Sequence, residues 1–380
     1  MSLSARRLNR ATLSRQLLLH REPLDVVDAV HRVVALQAQE AASPYLALWN
    51  RLAAFDPADL DAAFATHAVV KASLMRLTLH AVDAEDYPAF RRAMERSLRA
   101  SRFGDRRFTL TGLSIADVDD LVPQVIAFAA RPRTNAEFQE WLDARLGVLP
   151  QPGAWWALRT FAPVVHAPTG GPWSFGLRPS YVATPSHPSY LSPADRDASI
   201  QRLVRRYLEG FGPASVLDVA QFTLLPRSVA REALRRLAET VDRLTGPDGA
   251  ELFDVPGAVL PDEDIPAPPR LLGMWDSVLL AYADRSRIIP PDYRRQVIRQ
   301  NGDVLPTLLV DGYVAGVWRP VDGGIEATAF HPLSDETWKG LAAEARALVA
   351  FLAARDPAVY GRYGYWWARL PRAEVQVLTG

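Results

Sequence analysis

IQRLVRRYLEGFGPASVLDVAQFTLLPRSVAREALRRLAET, residues 200–240, is the stretch on which the fold turns. Residues 200–210 carry apolar side chains at helical spacing and residues 215–222 do so again. LLPRS then makes a short turn into a third helical stretch, residues 228–240. Arg227, Arg231, Arg235 and Arg236 crowd that last stretch. Helix, short turn and basic helix is the signature of a helix-turn-helix, whose second helix enters the major groove of DNA. Arg227, Arg231 and Arg235 are therefore candidate DNA-binding residues.

The outline recurs twice upstream. Residues 11–21, 23–36, 45–54 and 56–66 read as helices, and VVKASLMRLTLHAV, residues 69–82, alternates like a strand or hairpin. Residues 114–130 and 135–146 read as helices, the second capped by Thr134 with Glu137 three residues on. GAWWALRTFAPVVHAP (153–168) and GPWSFG (171–176) then read as strands or a wing. Helices followed by a short β-hairpin, three times over, predict a mainly α fold with short β-wings. Three tandem winged-helix-type units are expected, residues 1–110, 111–195 and 196–380, forming a concave DNA-binding channel. Beyond the Pro-rich linker 261–270, PTLLVDGYVAGVWRP places Asp311-Gly312 between apolar runs, a hairpin signal. Val310, Asp311, Gly312 and Tyr313 offer either an exposed tip able to wedge at a DNA groove or a plain structural hairpin. A final helix near 334–354 leads into the aromatic tail YGRYGYWW.

Composition narrows the function classes. The 380 residues are 49% hydrophobic and 23% charged, which suits a globular chain of two or three units. No apolar run reaches the roughly 18 to 20 residues of a spanning helix, and the N-terminus has no secretory h-region, so a cytoplasmic protein with no membrane partner is expected. With no Cys there is neither a disulfide framework nor a thiolate nucleophile. Acidic and basic residues balance at 43 each, so DNA binding must come from the distribution of charge. Nearly all the basic residues are Arg, which reflects either coding bias or the fit of a guanidinium fork to phosphate. No phosphate-binding glycine loop, GxSxG elbow or HExxH pair occurs, and neither a metal nor a cofactor is expected.

Two polar clusters remain. His80 opens HAVDAED, which reads either as a strand end before a helix start or as a hydrogen-bonding His80 facing a DNA groove. In VVALQAQEAASPY, residues 33–45, an apolar helix runs into Gln37 and Gln39. On a continuing helix these two point roughly 200° apart. If the helix stops near Leu36 and the chain extends, both amides can face one site.

ALQAQ, then SPYLALWNRL, SLMRLTLHAVDAEDYPAF, GPASVLDVAQFTLLPRSVAREALRRL, LLGMWDSVLLAYADRSRIIP and LPTLLVDGYVAGVWR, in that order, resemble the winged-helix DNA glycosylase superfamily of AlkZ-like and YcaQ-like proteins. The resemblance covers nearly the whole chain and lies in the order of blocks more than in any one of them. It implies that Gln37 and Gln39 are the catalytic residues, and Gln rather than Asp at 39 places the chain on the AlkZ-like side, with azinomycin resistance. The implied function is a monofunctional DNA glycosylase that excises N7-alkylated purines and unhooks interstrand crosslinks. It would give resistance to a DNA-alkylating natural product. The implied partner is double-stranded DNA carrying such lesions, and a monomer is expected.

The chemistry is consistent with that implication. An N7-alkylpurine is cationic and leaves as a neutral base with little acid catalysis. The enzyme must chiefly hold a water against an oxocarbenium-like sugar, which amide oxygens can do. Glu40 is a candidate auxiliary base. Lys71 and Lys339, the only lysines, make poor Schiff-base candidates, so strand-cutting lyase activity is not expected. The alternatives are a non-catalytic winged-helix DNA-binding protein, whether regulator or lesion binder, and a protein–protein adaptor.

Overall fold

Side-chain caps set the helix starts. Ser4 opens α1 (Ala5–Arg15) by accepting from the Arg7 N–H, and Asp25 does the same for α2 (Val26–Val33) from Asp28. The computed structural model describes residues 2–147, 152–184, 193–371 and 374–379. From α2 the chain runs through β1 (Leu36–Gln37), α3 (Ser43–Arg51), α4 (Pro57–Ala65), β2 (Val69–Ser73) and β3 (Leu79–Asp83). β3 pairs antiparallel with both β2 and β1, with Gln37 opposite His80. After α5 (Tyr87–Phe103) and α6 (Arg106–Thr109) the order repeats as α7 (Ile115–Phe128), β4 (Arg133–Thr134), α8 (Asn135–Leu146), α9 (Pro152–Phe161), β5 (Val164–Ala167) and β6 (Ser180–Ala183). Here β6 pairs with both β5 and β4. A third pass gives α10 (Pro193–Phe211), α11 (Val216–Thr223), α12 (Arg227–Arg236), β7 (Asp242–Thr245) and β8 (Glu251–Asp254). An isolated bridge from Ala214 to Phe253 takes the place of the short first strand. Helix, short strand, helix, helix and a hairpin whose second strand returns to the short strand thus occurs three times.

The first two hairpins are fused. A β2–β5 pairing at Lys71 and His166 joins them into one six-stranded sheet, ordered β1-β3-β2-β5-β6-β4. The C-terminal third builds a five-stranded antiparallel sheet. Its strands are β9 (Arg270–Leu272) and, after the short α13 (Arg294–Val297), β10 (Thr307–Val310), β11 (Tyr313–Val321), β12 (Gly324–Ala329) and β13 (Glu374–Thr379). Between β12 and β13, α14 (Asp335–Ala353) packs on β9, β12 and β13.

Two large apolar cores run across the sequence-drawn ranges. One joins α2, α3 and α4 to the C-terminal sheet and α14; the other joins β2 and β3 to α5, the second repeat and α10–α12. The first is pinned by a fully buried, bidentate ion pair from Arg51 on α3 to Asp276, at 2.8 Å for each bond. Asn50 beside it donates to the Leu271 carbonyl at 2.9 Å.

Two local expectations are corrected. GAWWALRTF forms α9, because Ala154, Trp155, Ala157, Leu158 and Phe161 are buried at helical spacing, with Trp155 stacked 3.8 Å from the Phe138 ring. GPWSFG is a turn, in which Ser174 exchanges a hydrogen bond with Tyr45 at 2.7 Å.

Candidate active site

Helix α2 ends at Val33, four residues before the first glutamine. Val34 leaves the helix at φ 74°, a left-handed conformation that a β-branched residue holds only when its surroundings impose it. Here those surroundings are a buried seat against Gly210 of α10, where any Cβ would collide with the Val34 side chain. The chain then extends into β1, and the Ala38 N–H donates to the Leu79 carbonyl at 2.8 Å. Extension is what the glutamine pair needs to serve a common site. The chain bends at residues 39–40.

Gln37 is buried, 3% exposed, and its amide is clamped at both ends. Its Oε1 accepts from the Arg76 guanidinium, and its Nε2 donates to Thr78 Oγ1 at 3.1 Å. Because Arg has only donors, this fixes which end of the amide is oxygen. Arg76 also donates to His80 Nε2 at 3.2 Å, so that nitrogen is the acceptor and the proton sits on Nδ1, 3.2 Å from the Thr78 carbonyl. Burial, reinforced by Arg76, drives the His80 imidazole well below its ordinary value of 6.5, and it is neutral. Arg76 occupies the turn Met75–Leu77 at φ 54°, its guanidinium 5.0 Å from the Phe222 ring centre. Burial and then the charge of Arg285 pull its pKa down, to about 9. Its Nη1 finds no hydrogen-bond partner among the described residues.

Gln39 is exposed, and among the described residues its amide makes no hydrogen bond. Glu40 is tied down: both carboxylate oxygens accept from Arg362 Nη2, at 2.8 and 2.9 Å. Burial pushes the Glu40 carboxyl up, against the opposing pull of Arg362. Gln37 and His80, read from separate clusters, therefore belong to one hydrogen-bonded group. Arg76 and Thr78 join them without having been singled out, and Arg362 was likewise missed as the partner of Glu40. An Arg set between Met75 and Leu77 in an apolar run was the available signal for the first.

The DNA-facing expectations divide. His80 is fully buried, so its placement at a groove is corrected: paired with Gln37 across β1 and β3, it lies inside the molecule as Arg76's acceptor. Arg227, Arg231 and Arg235 stand on the exposed face of α12, whose inner face buries Ala230, Ala233 and Leu234. Arg235 is tied to Glu232 at 2.7 and 2.8 Å, while Arg227 and Arg231 make no ion pair among the described residues. The Asp311-Gly312 turn joins β10 to β11, with Val310 paired to Tyr313. Its tip is folded against α1: Asp311 accepts from Arg6 at 2.7 Å and from Arg10, and the Gly312 carbonyl accepts from Asn9 at 2.8 Å. A free wedge at this tip is corrected accordingly, since the turn's polar groups are spent on α1. Val310 packs against the first core and Tyr313 is half-buried.

Among the described residues, no group of three or more metal-ligating side chains converges, and no helix is long and apolar enough to cross a membrane. The family model described as DNA glycosylase AlkZ-like matches residues 30–351. Among curated proteins, the interstrand DNA cross-link repair glycosylase of Streptomyces sahachiroi is 25% identical over 357 residues, covering 87% of this chain and 91% of that protein. Among solved structures, the Streptomyces sahachiroi DNA glycosylase AlkZ shares the fold at a TM-score of 0.78 and 20% identity, covering 92% of this chain and 96% of that one.

Proposed function

The chain belongs to the AlkZ-like DNA glycosylase family, and from that premise we propose that it excises N7-alkylated purines from double-stranded DNA and unhooks interstrand crosslinks, with Gln37 and Gln39 holding the attacking water. The observation that carries this reading is the break of α2 at Val33, which leaves Gln37 with its oxygen end fixed and Gln39 exposed two residues on. Gln37 Oε1 keeps a second lone pair beyond the one given to Arg76. A water between it and the Gln39 amide would be oriented but not deprotonated.

The neighbours support a weakly basic site. His80 spends its acceptor nitrogen on Arg76, and Glu40 is paired with Arg362. With no free base beside the amides among the described residues, catalysis leans on the leaving group, and a cationic N7-alkylpurine supplies that activation. Lys71 argues for a monofunctional enzyme. It sits in the sheet row of Leu36 and Ala81, next to the row of Gln37 and His80, and neighbouring rows project to opposite faces. Its amine lies 4.3 Å from the Phe175 ring centre and feels the charge of Glu40.

The three repeats are read as winged-helix units within residues 1–110, 111–195 and 196–380, arranged about a DNA channel to which exposed arginines of α12 contribute. An open channel suits a crosslinked base, which cannot be swung fully out of the duplex. Resistance to a DNA-alkylating natural product, action as a monomer and a cytoplasmic location complete the reading. Incubation with duplex carrying N7-methylguanine, followed by mass analysis, should find free base and an intact strand. A duplex crosslinked through N7 should come apart on a denaturing gel. Salt-sensitive DNA binding without base release would leave the non-catalytic DNA-binding protein instead.

A further inference from the structure

The tail that begins at Gly361 meets the candidate site through Arg362. Residues Gly361–Arg369 form a run of 3₁₀ turns in which Tyr363, Trp366 and Trp367 point inward, while Arg362, Tyr365 and Arg369 face water. Tyr365 is 50% exposed, yet its ring is not loose. It lies 4.7 Å from the Trp366 ring, and both its hydroxyl (3.2 Å) and the Trp366 indole N–H (2.8 Å) donate to Asp303. The result is an aromatic surface held in one orientation with its outer face uncovered. The uncovered half of the ring is apolar surface on which a flat partner can stack.

The same indole is flanked by two cations, Arg299 at 4.4 Å and Arg369 at 5.5 Å from its centre. Neither has a carboxylate partner among the described residues; Arg299 donates only to the carbonyls of Arg295 and Gln296. Burial and then the charge of Arg369 lower the Arg299 pKa. Arg362 grips Glu40 beside Gln39, and three residues of 3₁₀ chain at about 2 Å each set Tyr365 roughly 6 Å farther along. A fixed aromatic face bordered by unpaired arginines is the chemistry that holds a nucleic-acid strand by stacking and phosphate contact.

We propose that the Gly361–Arg369 segment is a binding face for the DNA strand beside the scissile nucleotide, with Tyr365 stacking on a base and Arg369 and Arg299 contacting its phosphates. The proposal deepens the glycosylase reading and rests on it. Its test is fluorescence anisotropy of the full chain with a labelled duplex carrying one central abasic-site analogue. Tyr365→Ala should weaken binding by about tenfold, and Tyr365→Phe, which keeps the ring, should restore it. Arg369→Ala should make the slope of log affinity against log salt shallower by about one. Wild-type affinity in Tyr365→Ala overturns the proposal, as does a Tyr365→Phe variant as weak as Tyr365→Ala, because the Asp303 contact and not stacking would then carry the effect. Gln39→Ala separates the two readings. If it and Gln37→Ala both excise at the wild-type rate while Tyr365→Ala binds weakly, the catalytic reading fails and the binding face stands; the reverse pattern sinks the binding face alone.

Discussion

Arg76 is a cation without an ion pair among the described residues, held by an amide oxygen, an imidazole nitrogen and the Phe222 ring. That arrangement makes it a positioning residue: it fixes which end of Gln37 is oxygen and occupies the one nitrogen by which His80 could act as a base. Replacing it with Met keeps most of its volume but leaves two buried acceptors unmet, at about 1–3 kcal/mol each. The expected outcome for Arg76→Met is a maximal excision rate lower by about 10- to 100-fold, with the DNA concentration for half-maximal rate little changed. An unaltered maximal rate would show that Gln37 needs no clamp. The glutamines were legible as candidates because packing gives little reason for two amides at the end of an apolar helix and because the resemblance to a glycosylase family implies their role. Arg76 was not, because its role depends on a left-handed turn that brings residue 76 back over residue 37.

The elements around the site were read well where capping chemistry is local and less well where burial decides. Ser114, Thr134 and Ser215 each open a helix with a reciprocal capping box. By contrast α9 looked strand-like from its tryptophans, and only its burial period shows a helix. The Asp311-Gly312 hairpin was legible as a hairpin, but its docking against α1 depends on residues some 300 positions away in sequence. The same holds for α3, which the sequence marks as a helix without marking its partner. Arg51 and Asp276 are both fully buried across that join. Removing one partner of such a pair strands the other charge, so Arg51→Ala should cost about 3–5 kcal/mol, read from urea unfolding midpoints at constant m-value. A loss below about 1 kcal/mol would mean that water reaches Asp276 and that the C-terminal sheet is not anchored through α3.

Across the molecule, zero net charge leaves DNA binding to local arrangement, and two histidines, His80 fully buried and His166 half-buried, set a pH dependence. The folded pKa of His80 lies well below the ordinary 6.5. Below pH 6.5 the unfolded chain therefore takes up a proton that the folded chain refuses, and folding stability falls. The slope reaches at most about 1.4 kcal/mol per pH unit for one histidine and is flat above about pH 7. His166, depressed by burial and then by Lys71, adds in the same direction. Urea midpoints at pH 7.5 and 5.5 check this: the lower pH should give the lower midpoint, and equal midpoints would place a charged or solvated imidazole at position 80. The three-fold repeat could be read from periodicity and caps, but not the fused sheet or the shared cores, because strand partners and burial between repeats leave no periodic trace. The glycosylase account itself rests on the two amides. Single-turnover base release from duplex carrying N7-methylguanine should be slower by about 10²- to 10³-fold in both Gln37→Ala and Gln39→Ala. DNA affinity should be retained, and the double variant should lose far less than the product of the two. Wild-type release rates in both single variants would contradict it.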